Sequence, residues 1–193
     1  MDGDRRRYLR LHQCRCDGRN DRARILSLSI RQIGPDEAEA YRTIRLIALE
    51  GDPASFASDV QTERDRPLDW YAQGTRDAAI FVAFEDDRPV GMAGLFVSDR
   101  DKTSHIGTIF GVYVLPQYRR AGLAVALMDT VIARAKTKAR QVHLGVAVDN
   151  CAALKLYHRL GFQTYGTEPR ALNVDGRFID EHLMVRFLDK EDR

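Results

Sequence analysis

Residues 104–138 constrain the fold more than any other part of the sequence. Ser104–Leu115 is an apolar run with the spacing of a strand covered on both faces, and a helix-periodic run extends from Arg120 to Lys138. The apolar residues of this second run recur at intervals of three and four positions. A buried strand that leads through a short turn into an amphipathic helix requires a sheet with helices packed on it. The sequence therefore predicts an α/β or α+β domain.

The chain continues this alternation on both sides of that segment. Gly34-Pro35 opens a helix expected to end near Leu49, and a second helix has an interruption near Pro67. Asp86-Asp87 and Asp175-Gly176 each separate two strand-like runs, so they predict two hairpins. The expected architecture is a mixed, mainly antiparallel central sheet with helices on both faces. The predicted strands are 28–33, 78–85, 88–98, 104–115, 141–148, 162–172 and 177–187, and the predicted helices are 35–49, 58–73, 120–138 and 149–160.

Length and charge indicate one domain with a basic extension. The chain has 193 residues, which fits a single compact domain with a short appendage. Residues 1–25 contain eight Arg and four Asp, a net charge of +4, which leaves −2 on the other 168 residues. We therefore expect a basic, poorly ordered N-terminal extension at residues 1–27 and a single domain at residues 28–193.

Composition excludes collagen-like, disulfide-scaffold and wholly disordered proteins. The hydrophobic content of 44% and the charged content of 30% are ordinary for a globular chain. No apolar run approaches the ~18 residues of a membrane span, and the Arg-rich N-terminus lacks the apolar core of a signal peptide. We therefore expect a cytoplasmic protein that binds no membrane. The nearly neutral domain argues against nucleic acid as a partner. The spacing of His12, Cys14 and Cys16 fits no zinc pattern with four ligands, so we expect no metal site.

The turn between the central strand and its helix has the composition of an anion-binding site. It contains Arg119, Arg120, Ala121 and Gly122. Backbone N–H groups at a helix start have no intrahelical acceptor, and the helix dipole adds partial positive charge there. Small side chains let an anion approach the backbone, and the arginines can add charge-assisted bonds. The turn matches neither G-x-G-x-x-G nor a P-loop, so it predicts another kind of phosphate site or a plain connection with incidental arginines.

Two motifs in a fixed order are the most specific feature of the sequence. Arg119–Ala124 has the pattern Q/R-x-x-G-x-G/A after a strand that ends in V-x-V-x-P. Asn150–Phe162, about 30 residues further on, has the pattern N-x-x-A-x-x-L-Y-x-x-x-G-F. Together they resemble the two corresponding motifs of the GNAT superfamily of acetyl-CoA-dependent N-acetyltransferases. The resemblance covers about residues 28–188 and implies the acyl-CoA N-acyltransferase fold of that superfamily.

The resemblance implies acetyl-CoA as the cosubstrate. The backbone of the central strand would pair with the pantetheine arm, and the amides of the following turn would hold the pyrophosphate. The two strands that match 104–115 and 141–148 would splay apart around the thioester. The acceptor amine would enter between the early helices and the last hairpin. The implied cofactor-binding residues are Val112, Tyr113, Val114, Arg119, Arg120, Ala121, Gly122, Leu123, Ala124, Asn150 and Tyr157.

The implied reaction is direct attack of a primary amine on the thioester within a ternary complex. An ammonium must first lose a proton, and the thiol leaves more easily when it is protonated. Tyr157 matches the position of the family's general acid, which lies beside the sulfur. The alternative interpretation is that Tyr157 only packs in the core. The backbone N–H of Val112 is the implied donor to the oxyanion.

The resemblance leaves the general base open. Ribosomal-protein alanine acetyltransferases of this superfamily carry a glutamate twelve positions before the tyrosine, and Gly145 stands there in this chain. The remaining candidates are His105, His143, Glu50 and a chain of water molecules. Histidine has an ordinary pKa that suits a base at neutral pH, although either histidine could equally be a surface or core residue.

The acceptor and the partners are less determined. Aromatic residues of the early helices could line an acceptor wall, and acidic residues could attract a cationic amine or be ordinary surface charges. An alternative function is a CoA-binding sensor or partner-binding domain with weak catalysis, and a second is nucleic-acid binding by the basic tail. A homodimer is compatible with the family. The aromatic candidates are Phe56, Trp70 and Tyr71, and the acidic candidates are Glu50, Asp52, Asp180 and Glu181.

Overall fold

A seven-stranded sheet organises the computed structural model, which describes residues 28–189. The predicted N-terminal extension therefore lies outside the described residues. Neighbouring strands are antiparallel except for the pair formed by the fourth and fifth strands, which confirms a mixed, mainly antiparallel sheet. In chain order the strands are β1 (Leu28–Gln32), β2 (Ala79–Glu85), β3 (Arg88–Val97), β4 (Ile106–Val114), β5 (Gln141–Ala147), β6 (Gln163–Val174) and β7 (Arg177–Phe187), and their order in the sheet is β1-β2-β3-β4-β5-β7-β6.

Helices cover both faces of the sheet, as the sequence predicts. A Cβ atom added to Gly91 would meet Leu127 of the helix after β4, whereas the methyl group of Met92 lies near Gly111 and the Arg45 guanidinium of the first helix. Adjacent residues of a strand point to opposite faces, so these two helices lie on opposite sides. The helices are α1 (Ala38–Gly51), α2 (Val60–Arg64), α3 (Leu68–Asp77), α4 (Leu123–Ala135) and α5 (Cys151–Arg159).

The interrupted second helix of the sequence is two helices, α2 and α3. The Asp59 side chain caps α2 by accepting a hydrogen bond from the N–H of Thr62 at 2.9 Å. Pro67 stands immediately before α3, where a residue without an N–H costs no helical hydrogen bond. The break near Pro67 is therefore confirmed.

A buried ion pair joins α1 to α2. Arg45 donates from Nη2 to Glu63 at 2.7 Å and from Nε at 3.0 Å, and the side chains are only 12% and 3% exposed. The hydroxyl of Tyr71 donates to the carbonyl oxygen of Glu63 at 2.6 Å. These bonds satisfy polar groups that would otherwise be costly to bury. They fix the two helices that precede the sheet's central strands.

Among residues 28–189, the helices are too short or too polar to cross a membrane.

Candidate active site

The parallel strands β4 and β5 pair only where they begin. Ile106 pairs with Gln141, and the last pair joins Thr108 to His143. Beyond that point each strand keeps only its other neighbour, β3 for β4 and β7 for β5. The two strands therefore diverge toward their carboxyl ends, which is the splayed arrangement that the resemblance implies.

A β-bulge in β4 accompanies this divergence. Met92 pairs with Tyr113 and Gly94 with Phe110, so β4 has one more residue than β3 between the two pairs. Gly111 is one of the two bulge residues, and its φ of +62° is a left-handed conformation that glycine adopts at little cost. Bulges bend the strand that carries them and increase its twist. The bend lies where β4 leaves β5.

A cavity of about 80 Å³ lies between the diverging strands. Its lining includes five residues that the sequence singles out, Asp52, Val112, Gly145, Asn150 and Tyr157, together with Ser55 of the 3₁₀ turn after α1. The structure thus brings one residue from β4, one from β5 and two from α5 and its cap to one space. A larger and more open depression, of about 430 Å³, contains none of the motif residues.

Tyr157 of α5 lines this cavity. The ring is buried and packs on Phe162 with 5.9 Å between ring centres. Its hydroxyl has no hydrogen-bond partner among residues 28–189. Every fully buried side-chain nitrogen or oxygen in that range does have a partner. The hydroxyl therefore keeps some accessible surface. Burial raises the pKa of Tyr157 well above the ordinary tyrosine value, so the phenol stays protonated at neutral pH.

The turn before α4 exposes a series of backbone N–H groups. The helix begins at Leu123 and not at Arg120 as predicted, because Arg120 and Gly122 have φ of 65° and 86°. The first intrahelical bond runs from the N–H of Ala126 to Gly122 at 3.0 Å, and the N–H groups of residues 120–125 have no acceptor in the described part of the chain. A Cβ added to Gly122 would meet nothing within 4 Å. The turn is therefore open to an anion at a helix start.

The two arginines of this turn differ in their contacts. Arg119 donates from Nε to the carbonyl oxygen of Val114 at 2.9 Å, and its guanidinium lies 5.4 Å from the centre of the Tyr113 ring. Arg120 is exposed, with no side-chain partner within residues 28–189. The Arg119 side chain thus secures the turn to β4, and Arg120 is the arginine whose charge is available at the turn.

Asn150 is the N-cap of α5. Its Oδ1 accepts a hydrogen bond from the N–H of Ala153 at 3.1 Å. Part of its bonding capacity is therefore used to begin the helix that carries Tyr157. The side chain also lines the cavity, and its contact with a cofactor remains a prediction.

The sequence-derived candidates for the base lie away from the cavity lining. The carbonyl oxygen of His105 accepts from the N–H groups of Arg140 and Gln141, at the paired end of β4 and β5. Glu50 is exposed and forms an ion pair with Arg64. His143 packs on Tyr165 with 5.5 Å between ring centres. Burial, and to a smaller extent the charge of His105, lowers the pKa of His143.

The acceptor-wall candidates are mostly core residues. Tyr71 is fully buried, and Phe56 packs on Tyr113 with 6.4 Å between ring centres. Trp70 is 42% exposed and does not line the cavity. Of the four acidic candidates, Asp52 lines the cavity directly.

A carboxylate that the sequence did not offer as a base lies beside Gly145. The pairing of β5 with β7 sets Ala147 opposite Glu181 and Gly145 opposite Leu183. A Cβ added to Gly145 would lie only 2.9 Å from Oε2 of Glu181. The Glu181 carboxylate therefore fills the space over a residue that lines the cavity. The position of β7 beside β5 could not be read from residue spacing, so Glu181 appeared only as a general acidic candidate.

Comparison with known proteins supports one family. The sequence model described as the acetyltransferase (GNAT) family matches residues 43–162. The L-amino acid N-acetyltransferase AaaT of Escherichia coli K12 is 29% identical over 154 residues, which cover 78% of this chain and 93% of that protein. An L-methionine sulfoximine/L-methionine sulfone acetyltransferase of Pseudomonas aeruginosa is 37% identical over 87 residues, 43% of this chain and 49% of that protein.

Solved structures share the fold. An acetyltransferase of the GNAT family from Streptococcus pneumoniae has a TM-score of 0.75 at 23% identity, covering 84% of this chain and 99% of that one. An acetyltransferase from Salmonella typhimurium, solved with its cofactor acetyl-CoA, has a TM-score of 0.73 at 24% identity, covering 86% and 96%. At these identities the similarity establishes the architecture.

Proposed function

Because the chain belongs to the GNAT acetyltransferase family, we propose that it transfers the acetyl group of acetyl-CoA to a primary amine by direct attack within a ternary complex. The observation that carries the proposal is the cavity between the diverging ends of β4 and β5, with Tyr157 in its lining. A thioester in this space would lie between the part of β4 that does not pair with β5 and the protonated phenol of Tyr157.

The chain offers suitable groups for the pyrophosphate and the pantetheine arm of acetyl-CoA. The unpaired N–H groups of residues 120–125 and the open space at Gly122 suit a pyrophosphate. Val112–Val114 lie beyond the last pair with β5, so their edge of β4 suits the amides of the pantetheine arm. Acetyl-CoA itself supplies the activated acyl group and a thiol leaving group.

Two groups of the cavity would serve the chemical step. The backbone N–H of Val112 would donate to the carbonyl oxygen as negative charge develops on it. The Tyr157 hydroxyl would donate its proton to the departing sulfur. Burial raises the pKa of Tyr157, which keeps the hydroxyl protonated before the step, and the same dry surroundings disfavour a thiolate, which favours protonation of the departing sulfur.

We propose an L-amino acid as the first acceptor class to test. The E. coli relative, matched over 93% of its length, is named an L-amino acid N-acetyltransferase. The P. aeruginosa relative is named for two amino-acid derivatives. Both names describe acceptors that carry an α-amine.

The experiment measures binding and turnover separately. The protein is titrated with acetyl-CoA by thermal shift, and a panel of the twenty L-amino acids is then tested for thiol release and for N-acetylated product by mass spectrometry. Stabilisation by acetyl-CoA together with both products supports the proposal. No stabilisation contradicts it, and stabilisation without product with any amine would indicate the CoA-binding sensor instead.

Tyr157→Phe tests the proposed acid. Loss of the hydroxyl should lower kcat by about 10²-fold, because general acid catalysis typically contributes at least that factor. Acetyl-CoA affinity should change little, since the ring and its contact with Phe162 remain. Tyr165→Phe, which alters an exposed tyrosine of β6, is the matched control. An unchanged kcat for Tyr157→Phe rejects the role.

A further inference from the structure

The order of the strands sets the Glu181 carboxylate beside Gly145, a residue that lines the cavity. β7 lies between β5 and β6, which sets Glu181 opposite Ala147 on one side and opposite Glu168 on the other. Directly paired residues of neighbouring strands project to the same face of a sheet. The side chain of Glu181 extends along β5 toward Gly145, which has no Cβ to block it. Gly145 lines the cavity, so the carboxylate lies at its margin.

The Glu181 carboxylate has no neutralising partner. Within residues 28–189 it makes neither a hydrogen bond nor an ion pair, and the side chain is half-buried. Burial, and then the negative charge of Glu168, raise the pKa of Glu181 above the ordinary glutamate value. A partly buried carboxylate without a cation is unfavourable, so this position is suited to a positively charged ligand.

We propose that Glu181 is the general base that takes a proton from the ammonium group of the acceptor, an inference that rests on the proposed function. One N–H proton moves to a Glu181 oxygen, and the freed lone pair of nitrogen forms the bond to the thioester carbonyl carbon. The C–S bond then breaks, and the sulfur takes the proton of the Tyr157 hydroxyl. The second N–H proton is lost after the C–N bond has formed and restores the Tyr157 hydroxyl. Glu181 releases its proton to solvent, so one proton leaves per turnover.

The geometry favours Glu181 over Glu50 and His105. Glu50 is held by Arg64, and His105 lies at the closed end of β4 and β5. Asp52 lines the cavity as well, from the end of α1. Asp52 is therefore the rival that an experiment has to separate from Glu181.

The test is the pH dependence of kcat/KM for Glu181→Gln, measured with the amino acid of the L-amino acid panel that the wild type acetylates fastest. Wild-type kcat/KM should rise with pH through the pKa of Glu181 and then level off. The variant depends on amine already deprotonated in solution, so it should be about 10²-fold slower near neutral pH. Its deficit should shrink about tenfold per pH unit as the amine approaches its own pKa. A deficit that is independent of pH, or no deficit, overturns the proposal.

Two matched variants complete the test. Glu168→Gln alters a glutamate on the neighbouring strand and should keep most of the turnover near neutral pH. Asp52→Asn tests the rival, and a pH-dependent loss in Asp52→Asn without one in Glu181→Gln overturns the assignment. Acetyl-CoA should still stabilise Glu181→Gln against heat, which shows that the variant is folded. If the wild type acetylates no amine, the proposed function fails, whereas an active wild type with an equally active Glu181→Gln refutes this inference alone.

Discussion

The side-chain amide of Asn150 donates from Nδ2 to the hydroxyl oxygen of Ser55 at 3.3 Å, joining the start of α5 to the 3₁₀ turn after α1. The two residues are 95 positions apart in the chain and both line the cavity. The same side chain caps α5 through Oδ1. Asn150 thus holds two walls of the cavity together while it begins the helix that carries Tyr157.

Asn150→Asp and Asn150→Ala should separate these contacts. Aspartate keeps the oxygen that caps α5 and its charge suits a helix start, so Asn150→Asp should unfold within about 0.5 kcal/mol of the wild type. Asn150→Ala loses the cap and should be destabilised by about 1 kcal/mol. Urea unfolding measures both. If the Nδ2 group contacts acetyl-CoA, Asn150→Asp should bind acetyl-CoA more weakly although its fold is intact, and unchanged affinity would limit Asn150 to a structural role.

Arg119 and Arg120 should respond differently to truncation. Arg119→Ala removes the bond to Val114 and the contact with Tyr113, so it should cost about 1 kcal/mol of unfolding free energy. Arg120→Ala should leave stability unchanged and weaken acetyl-CoA binding by roughly threefold to tenfold, chiefly at low salt. Calorimetric titrations at two salt concentrations check this. Equal effects of the two variants on stability would contradict the distinction.

Gly145→Ala should damage turnover without unfolding the protein. The added Cβ would meet the end of the Glu181 side chain, which can move aside, and Gly145 has an ordinary backbone conformation. We therefore expect a melting temperature close to the wild type and a fall of roughly tenfold in kcat/KM, because the displaced carboxylate no longer meets the amine. Gly34→Ala, which adds a Cβ in open space, is the control. Wild-type kcat/KM in Gly145→Ala would show that the Glu181 position is irrelevant to the reaction.

Glu168→Gln should move the acidic limb of the pH profile. The negative charge of Glu168 helps to raise the pKa of Glu181, so its removal should lower that pKa. Glu181 would then be ionised at lower pH, and kcat/KM should begin to rise at lower pH than in the wild type. The plateau at higher pH should be the same. A shift of the limb to higher pH would have the wrong sign for repulsion between the two carboxylates.

Glu63→Gln should test the buried ion pair. The substitution leaves the Arg45 guanidinium buried without a counter-charge, which typically costs about 3 kcal/mol or more. Glu39→Gln breaks an exposed pair with Arg42, in which the closest atoms are 3.9 Å apart, and should cost less than about 0.5 kcal/mol. Chemical denaturation of both variants gives the comparison. Similar costs would mean that burial adds nothing to the Arg45–Glu63 pair.

Patterns local in sequence predicted the architecture. Alternating apolar runs and turn pairs such as Asp175-Gly176 identified the seven strands, because strand spacing and turn chemistry depend on a few neighbouring residues. The two ordered motifs indicated the family that the comparisons support. The late start of α4 was missed, since the positive φ of Arg120 belongs to a residue type that rarely adopts it.

The relationship between Gly145 and Glu181 depends on long-range pairing and escaped prediction. The two residues lie close together because β7 lies between β5 and β6 in the sheet. The spacing of apolar residues within one strand does not encode this strand order. A glycine at position 145 was interpreted from the sequence as the absence of a carboxylate. In the folded chain the same glycine leaves room for a carboxylate from another strand.

The placement of β7 has a consequence for synthesis on the ribosome. The strand is made after β6, yet it lies between β5 and β6 in the sheet. A nascent chain that has emerged only through β6 already contains the turn at 119–122 and Tyr157, but not Glu181. Such a chain has the groups proposed for the nucleotide end of the cosubstrate and lacks the proposed base. If Glu181 is the base, acetylation by an incompletely translated chain is disfavoured, because β7 is the last strand to be made.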